Sequence, residues 1–345
     1  MVDFNPKTAA EGLLAELPKR TAQVLEKRFG LVKSGKRFTL EAIGQTYGIT
    51  RERVRQIERD GVNRIKKSSA YANLQQVFSL FQQEIAGQGG ITAEDALVAR
   101  FSDDGRSGTA ARFLFSLAPH LIFRGESDSL HARWGENADL MDTVEEALAS
   151  TAQALADKNE IVSYEQLAAL MEEKLRNSNI LTAEPAILRG YIAASKAIGE
   201  NYFNQWGLVS SPLIRPRGIR DLAYLAFQKE AAPMHFSQAA HRISVIAHPR
   251  KVHPQTVHNE LIKDTRFVLV GRGTYGLVEW GFEPGTVRDI ITRVLANNRM
   301  HSKEDIVRAV KERRQVKENT ILINLQNRKY FKKFPDGTYG NMITS

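Results

Sequence analysis

The stretch Thr50-Arg51-Glu52-Arg53-Val54-Arg55-Gln56-Ile57-Glu58 holds the groups best suited to reading another molecule. At helical spacing Arg51, Glu52, Arg55, Gln56 and Arg59 share one face, while Val54, Ile57 and Ile65 turn inward. Guanidinium forks match the two acceptors of guanine. A carboxylate accepts from the amino group of cytosine, and a glutamine amide pairs with adenine. This is the composition expected of a recognition helix in the major groove of DNA, although an ordinary solvated face is also often charged. The residues just before it supply context. Leu40, Ile43 and Tyr47 form the buried side of a short helix. Gly48 allows a sharp turn at positive φ, and Thr50 can cap the helix that follows.

Signals for catalysis are weaker. Gly271-Arg272-Gly273-Thr274-Tyr275-Gly276-Leu277-Val278 fits the glycine-rich loop of protein kinases and contains the GxGxxG of dinucleotide sites. No lysine strand, catalytic Asp loop or Asp-Phe-Gly follows, and Leu277-Val278-Glu279-Trp280 reads as strand where a dinucleotide site needs a helix. The glycines are better assigned to a hairpin turn. His248, His253 and His258 recur every five residues, which does not place them on one helical face, and Pro249 and Pro254 interrupt any helix there. They suit surface or DNA-contact positions better than a metal site. Glu172-Glu173-Lys174 lies on an expected helix rather than a nuclease strand. With no nucleophile–base pair, the sequence predicts a non-enzyme, with no cofactor and no metal.

The elements that must position these groups follow from composition and period. The chain has 345 residues, 42% hydrophobic and 25% charged, which is globular and long enough for several domains. It has no cysteine, hence no disulfide or thiolate site. No apolar run approaches a membrane span and no signal segment opens the chain, so a cytoplasmic, nucleoid-associated protein with no membrane partner is expected. The net charge is +9, and it is sorted along the chain. Residues 1–70 carry +7, 71–136 carry −3, 137–215 carry −5, 216–282 carry +4 and 283–345 carry +6. Basic ends favour nucleic acid there, and an acidic centre suits protein contacts or spacing.

A repeat runs through most of the sequence. Helical stretches end in a short β-rich segment closed by aromatic-Gly. The pairs are Leu121-Ile122-Phe123 with Arg133-Trp134-Gly135, and Tyr202-Phe203 with Gln205-Trp206-Gly207. Phe267-Val268-Leu269-Val270 with Thr274-Tyr275-Gly276, and Tyr330-Phe331 with Thr338-Tyr339-Gly340, complete the set. The closing glycines lie 72, 69 and 64 residues apart. Helices are expected over 71–86, 91–99 and 109–117, over 141–155, 164–175 and 185–198, over 219–227, 236–246 and 254–262, and over 286–296, 302–311 and 317–326. Three helices closed by a hairpin is the winged helix-turn-helix plan. The predicted fold is therefore mostly α with small β wings, a tandem array of helix-turn-helix and winged-helix domains. The expected boundaries are 1–70, 71–136, 137–215, 216–282 and 283–345, with linkers at 210–218 and 281–285.

Leu17 to Lys67 resembles region 4 of the housekeeping-type bacterial sigma factors. Leu17-Pro18-Lys19-Arg20, Val24-Leu25, Arg28-Phe29-Gly30-Leu31, Thr39-Leu40-Glu41, Ile43-Gly44 and the run Thr50 to Glu58 carry the likeness. The resemblance implies reading of a −35 promoter element in double-stranded DNA and docking on the β flap of the RNA polymerase core. It assigns base contacts to Arg51, Glu52 and Gln56, and phosphate or positioning roles to Arg20, Arg53 and Arg55, which Arg59 joins on the same face. Only 16 residues precede the match, so a complete sigma factor of the usual order is not expected.

Ile219 to Gly281 resembles the HARE-HTH family, a winged-helix module found in the RNA polymerase delta subunit and in chromatin and restriction proteins. The likeness rests on Ala231 to Phe236, Pro254-Gln255-Thr256-Val257, Leu261 and Phe267 to Leu277. Arg250, Lys251, His258, Lys263 and Arg272 suit phosphates there. In the last segment, Arg313, Arg314, Lys317, Asn319, Asn324, Arg328, Lys329, Lys332 and Lys333 make the most basic of the winged units, with Arg328, Lys329 and Lys332 expected at phosphates. Tyr330 and Phe331 are better read as packing. The function expected is a DNA-binding, transcription-associated factor. The alternatives are a DNA-targeting accessory subunit of a restriction, defence or DNA-processing system, and a nucleoid-organising protein.

Overall fold

The computed structural model describes residues 4–102, 104–158, 160–176, 184–247, 251–296 and 301–342. The chain is mostly helical with small antiparallel sheets and divides into two units, residues 1–210 and 211–345. The division falls at the start of the proline-bearing stretch 210–218.

Asn5 starts α1 (Pro6–Ala15) by accepting from the Lys7 and Thr8 amides, with proline at the first helical position. Helix α2 (Lys19–Phe29) stops at Gly30, φ 75°. Then come α3 (Leu40–Tyr47), α4 (Arg51–Lys66), a single turn α5 (Ser69–Ala72) and α6 (Gln75–Gly87). The stripe expected as one helix over 71–86 is thus broken near Asn73. Strand β1 (Ile91–Ala93) precedes α7 (Glu94–Phe101), and Asp104 caps α8 (Gly105–Leu117). Strands β2 (Ile122–Arg124) and β3 (Arg133–Gly135) complete a sheet ordered β1-β3-β2. Residues 91–93, expected as the start of a helix, are therefore strand: Thr92 pairs with Trp134, across a sequence separation no local period can report.

Helices α9 (Ala138–Lys158), α10 (Tyr164–Arg176) and α11 (Pro185–Ala193) lead to the hairpin β4 (Ile198–Glu200) and β5 (Trp206–Leu208). Here too the outcome differs from the expected pairing. Tyr202 and Phe203 occupy the turn, and the strand is Ile198–Glu200, so Ile198 opens a strand where the sequence predicts the end of a helix. Asn201 Oδ1 accepts from the Phe203 and Gln205 amides at 2.8 and 3.1 Å, and Asn204 takes φ 58°, so the chain reverses where a strand was expected.

Two apolar cores fill most of this unit. The first joins Leu13, Leu14, Leu25 and Ile65 to Phe78, Phe81, Phe113, Phe115 and Trp134. Phe81 meets Phe115 edge-on at 4.7 Å, and Phe29 lies 4.9 Å from Phe113. This core runs straight through residue 70. The second surrounds α9, α10 and α11 but also takes in Ile91 and Leu130. Tyr191 ties them by donating to the Gly89 carbonyl at 2.5 Å.

The other unit holds two further cores. One gathers α12 (Ile219–Glu230), β6 (Met234–His235), α13 (Phe236–Ile246), α14 (Pro254–Lys263), β7 (Phe267–Gly271) and β8 (Thr274–Leu277), with sheet order β6-β8-β7. The other gathers α15 (Val287–Val294), α16 (Lys303–Arg313), α17 (Glu318–Leu325) and the hairpin β9 (Phe331–Lys333) and β10 (Tyr339–Asn341). Closing aromatics pack inward as their positions suggest: Trp134 and Tyr275 are buried, Trp206 and Tyr339 partly so.

A polar staple fixes α12. Arg266 donates to Asp264 and Asp221, and its guanidinium lies 4.7 Å over the Tyr224 ring. Tyr224 donates to Glu279 at 2.6 Å. Burial, then Glu279, push the phenol up to about 12. The neutral form is thus favoured in the folded state. Its stabilisation is whole below the ordinary tyrosine value of about 10 and is lost as pH rises towards about 12. The alkaline limb of a stability–pH curve should therefore be shallower in Tyr224→Phe, as read by urea unfolding; an unchanged limb contradicts the staple. A second pair of variants tests backbone approach. Gly44→Ala places a methyl 2.6 Å from the Ile49 carbonyl, while Gly12, inside α1, faces open space. Unfolding should show Gly44→Ala costing about 1–3 kcal/mol and Gly12→Ala gaining up to about 1 kcal/mol.

Candidate nucleic-acid interface

The α3–α4 turn is built by local hydrogen bonds. Thr39 Oγ1 accepts from the Ala42 amide at 3.1 Å and starts α3. Gly48, at φ 62°, ends it, and the Ile49 amide donates back to the Gly44 carbonyl at 3.0 Å. Thr50 Oγ1 then accepts from the Arg53 amide at 3.2 Å and starts α4. Beneath the turn, Val54 packs with Val24 and Ile43 in a small core of its own, flanked by Tyr47, Ile49 and Ile57.

Further along α4, Gly61 lets α2 come close. A methyl there would sit 2.8 Å from Thr21 Cγ2 and 3.1 Å from Leu25 Cδ1. Arg28 Nε donates to Glu58 Oε2 at 3.3 Å across the same contact. Neither feature belongs to the sequence pattern of the reading face. A signal was present: Gly61 falls seven residues after Val54 and four before Ile65, on the buried face.

The opposite face carries the expected readers together. Arg51, Glu52, Arg53, Arg55, Gln56 and Arg59 are all exposed. Arg55 donates from Nε and Nη2 to the two Glu52 oxygens at 2.8 and 2.7 Å. That pairing holds the Glu52 carboxyl below its ordinary range and lifts Arg55 above its own. Arg53 Nη1 donates to Gln56 Oε1 at 3.0 Å. These bonds orient the side chains in the free protein. Being fully exposed and only three residues apart, they exchange readily for contacts with a ligand. Arg20, also exposed, lies 5.7 Å from the Tyr47 ring centroid, with Lys27 at 4.7 Å. Val24 and Leu25 are fully buried, and Phe29 is packed on Phe113.

Within residues 211–345, Lys251 is exposed just before α14, and Lys263 ends that helix with Nζ 3.7 Å from Glu260. Arg272 is exposed at the β7–β8 turn, where Gly273 has φ 67°. Arg250 and His248 lie outside the described residues. Arg328 and Lys329 are exposed ahead of β9, and Lys332 is exposed within it. Arg314, counted among the basic residues of this segment, is half-buried instead and donates to the Gly285 carbonyl. Desolvation lowers its pKa.

The glycine-rich run Gly271–Val278 is the β7–β8 hairpin and leads into a short 3-10 turn at Val278–Trp280. His253 caps α14 through Nδ1, and His258 stacks on Phe236 at 4.6 Å. Glu172, Glu173 and Lys174 are on α10. Among the described residues there is no group of three or more metal-ligating side chains.

Residues 13–67 match the family model Sigma-70, region 4. Similar proteins include the RNA polymerase principal sigma factor HrdD of Streptomyces viridifaciens, 39% identical over 57 residues, covering 16% of this chain and 17% of the relative. The RNA polymerase sigma factor SigA of a Bacillus species is 41% identical over 63 residues, 18% of this chain and 16% of the relative. SigA1 of Synechococcus elongatus is 45% identical over 56 residues, 16% of this chain and 14% of the relative. The chain thus spans about one sixth of the length of the curated relatives it matches. Residues 13–67, with their capped α3–α4 turn and exposed α4 face, are a Sigma-70 region 4 domain.

Proposed function

We propose that this chain is a DNA-binding, transcription-associated factor that reads double-stranded DNA with α4 and has no catalytic activity of its own. Arg51, Glu52 and Gln56 contact bases in the major groove, and Arg20, Arg53, Arg55 and Arg59 contact the flanking phosphates. The observation that carries this reading is the single exposed stripe of donors and acceptors on α4, inside a region 4 domain. The helical groups closed by hairpins act as winged helices in tandem. The segment 219–281 serves as a HARE-like module, with Lys251, Lys263 and Arg272 at phosphates.

Association with RNA polymerase completes the proposal. Val24 and Leu25 are consumed by the protein's own core and Phe29 by its packing on Phe113, so a polymerase contact, including one with the β flap, must use other residues. Affinity purification of the full chain, with identification of co-eluting proteins, tests this. Polymerase subunits support the proposal. A nuclease or helicase in their place moves the assignment to a DNA-processing accessory.

Base readout has its own test. Arg51→Ala, Glu52→Ala and Gln56→Ala should each flatten sequence preference by about 1–3 kcal/mol at one position, with a smaller effect on nonspecific binding. Selection from random DNA reads this directly, and three variants returning the wild-type motif would remove α4 from the assignment.

A further inference from the structure

The four-residue cation set at Arg328, Lys329, Lys332 and Lys333 is arranged unlike that of α4. In the C-terminal group of elements, α17 stands where a third, groove-reading helix would stand. Its sequence, Glu318-Asn319-Thr320-Ile321-Leu322-Ile323-Asn324-Leu325, contains no cation and opens on an anion. Glu318 already holds Lys311 at 3.1 Å. Asn324 spends its amide on the Thr320 carbonyl at 2.8 Å, and Ile323 is 68% exposed. Apart from Lys317 at its N-cap, such a helix offers phosphates no cation, and it offers base edges little.

The hairpin offers the reverse. Arg328, Lys329, Lys332 and Lys333 are all exposed, and none forms an ion pair with a described residue. Arg328, Lys332 and Lys333 line an open cleft of about 760 Å³ with Gln326, Tyr339 and Met342. The aromatic rings among these cations are committed to packing. Phe331 is buried, Tyr330 lies under the Arg288 guanidinium at 4.5 Å, and Phe334 sits against Gly340. Rings so placed do not serve as stacking platforms for unpaired bases. Paired cations elsewhere in the chain, such as Arg133 with Glu145 at 2.6 Å, are already neutralised. The set at 328–333 keeps its whole charge.

We infer that the C-terminal group binds the phosphates of duplex DNA through the β9–β10 hairpin and its approach, not through α17. This rests on the DNA-binding reading above. It deepens that reading by adding a sequence-independent phosphate contact to the sequence readout of α4. Each neutralised phosphate releases counterions and contributes about 0.9 to the slope of log affinity against log salt. Loss of four contacts lowers the slope by about 3.6.

The test uses the full chain on a duplex carrying its selected site and on single strands of the same sequence. The variant Arg328→Gln/Lys329→Gln/Lys332→Gln/Lys333→Gln should lower the salt slope by about 3.6 and leave the selected motif unchanged. A companion with all three lysines changed to arginine should restore the slope, which separates charge from folding. Asn319→Ala/Ile323→Ala on α17 should bind as wild type. A hairpin variant with unaltered slope, or an α17 variant that loses as much affinity, overturns the inference while α4 readout stands. A loss confined to single strands overturns the duplex assignment. A wild-type chain that binds no DNA overturns both this inference and the proposed function.

Discussion

The position of α4 depends on two close approaches that tolerate no side chain. Gly44 brings α3 against the Ile49 carbonyl, and Gly61 brings α2 against the middle of α4. Between them, the inner edge of α4 is divided between two cores. Val54 is held with Val24 and Ile43, and Ile65 is held with the phenylalanines of α6 and α8. One helix is thereby fixed at both ends by different partners. Its outer face is left with no packing duty, which is why six polar side chains can stand there exposed. A reading helix needs this condition, since each displaced ångström costs contacts that are directional.

Electrostatics separates the charges that hold the fold from those left for a partner. Arg133, almost wholly buried, pairs with Glu145, which also receives Arg124. Arg112 bridges Glu94 and Asp95, and Arg266 bridges Asp264 and Asp221. These guanidinium groups are spent on cross-links between elements, and breaking one would strand a desolvated charge. On α4 the pairs are exposed and reversible, and on the C-terminal hairpin the cations lack ion pairs among the described residues. Net charge by segment gives the sign of the partner, but the pairing decides which cations are free to meet it.

Much of this was legible from local pattern. The helix over Phe236–Ile246 appears with those same bounds, and the α4 face, Gly48 and the Thr50 cap were readable because a helix and its turn are set by neighbours in sequence. The losses share one cause. Strand β1 takes its identity from Trp134 and has no local signature, while α1, whose start Asn5 and Pro6 do mark locally, takes its place from α8. Tyr202 and Phe203 have strand-forming side chains, yet Asn201 and Asn204 bend the chain beneath them. The shared core across residue 70 was likewise hidden, since apolar stripes on α1 and α8 report burial without naming the partner.

The central claim is that α4 enters the major groove. Methylation interference on the selected duplex tests it most directly, because guanine N7 lies in the major groove and adenine N3 in the minor groove. Methylation at guanine N7 within the motif should block binding of the wild-type chain, and Arg51→Ala should lose that sensitivity at one guanine. Interference confined to adenine N3, or none within the motif, would contradict major-groove reading by α4.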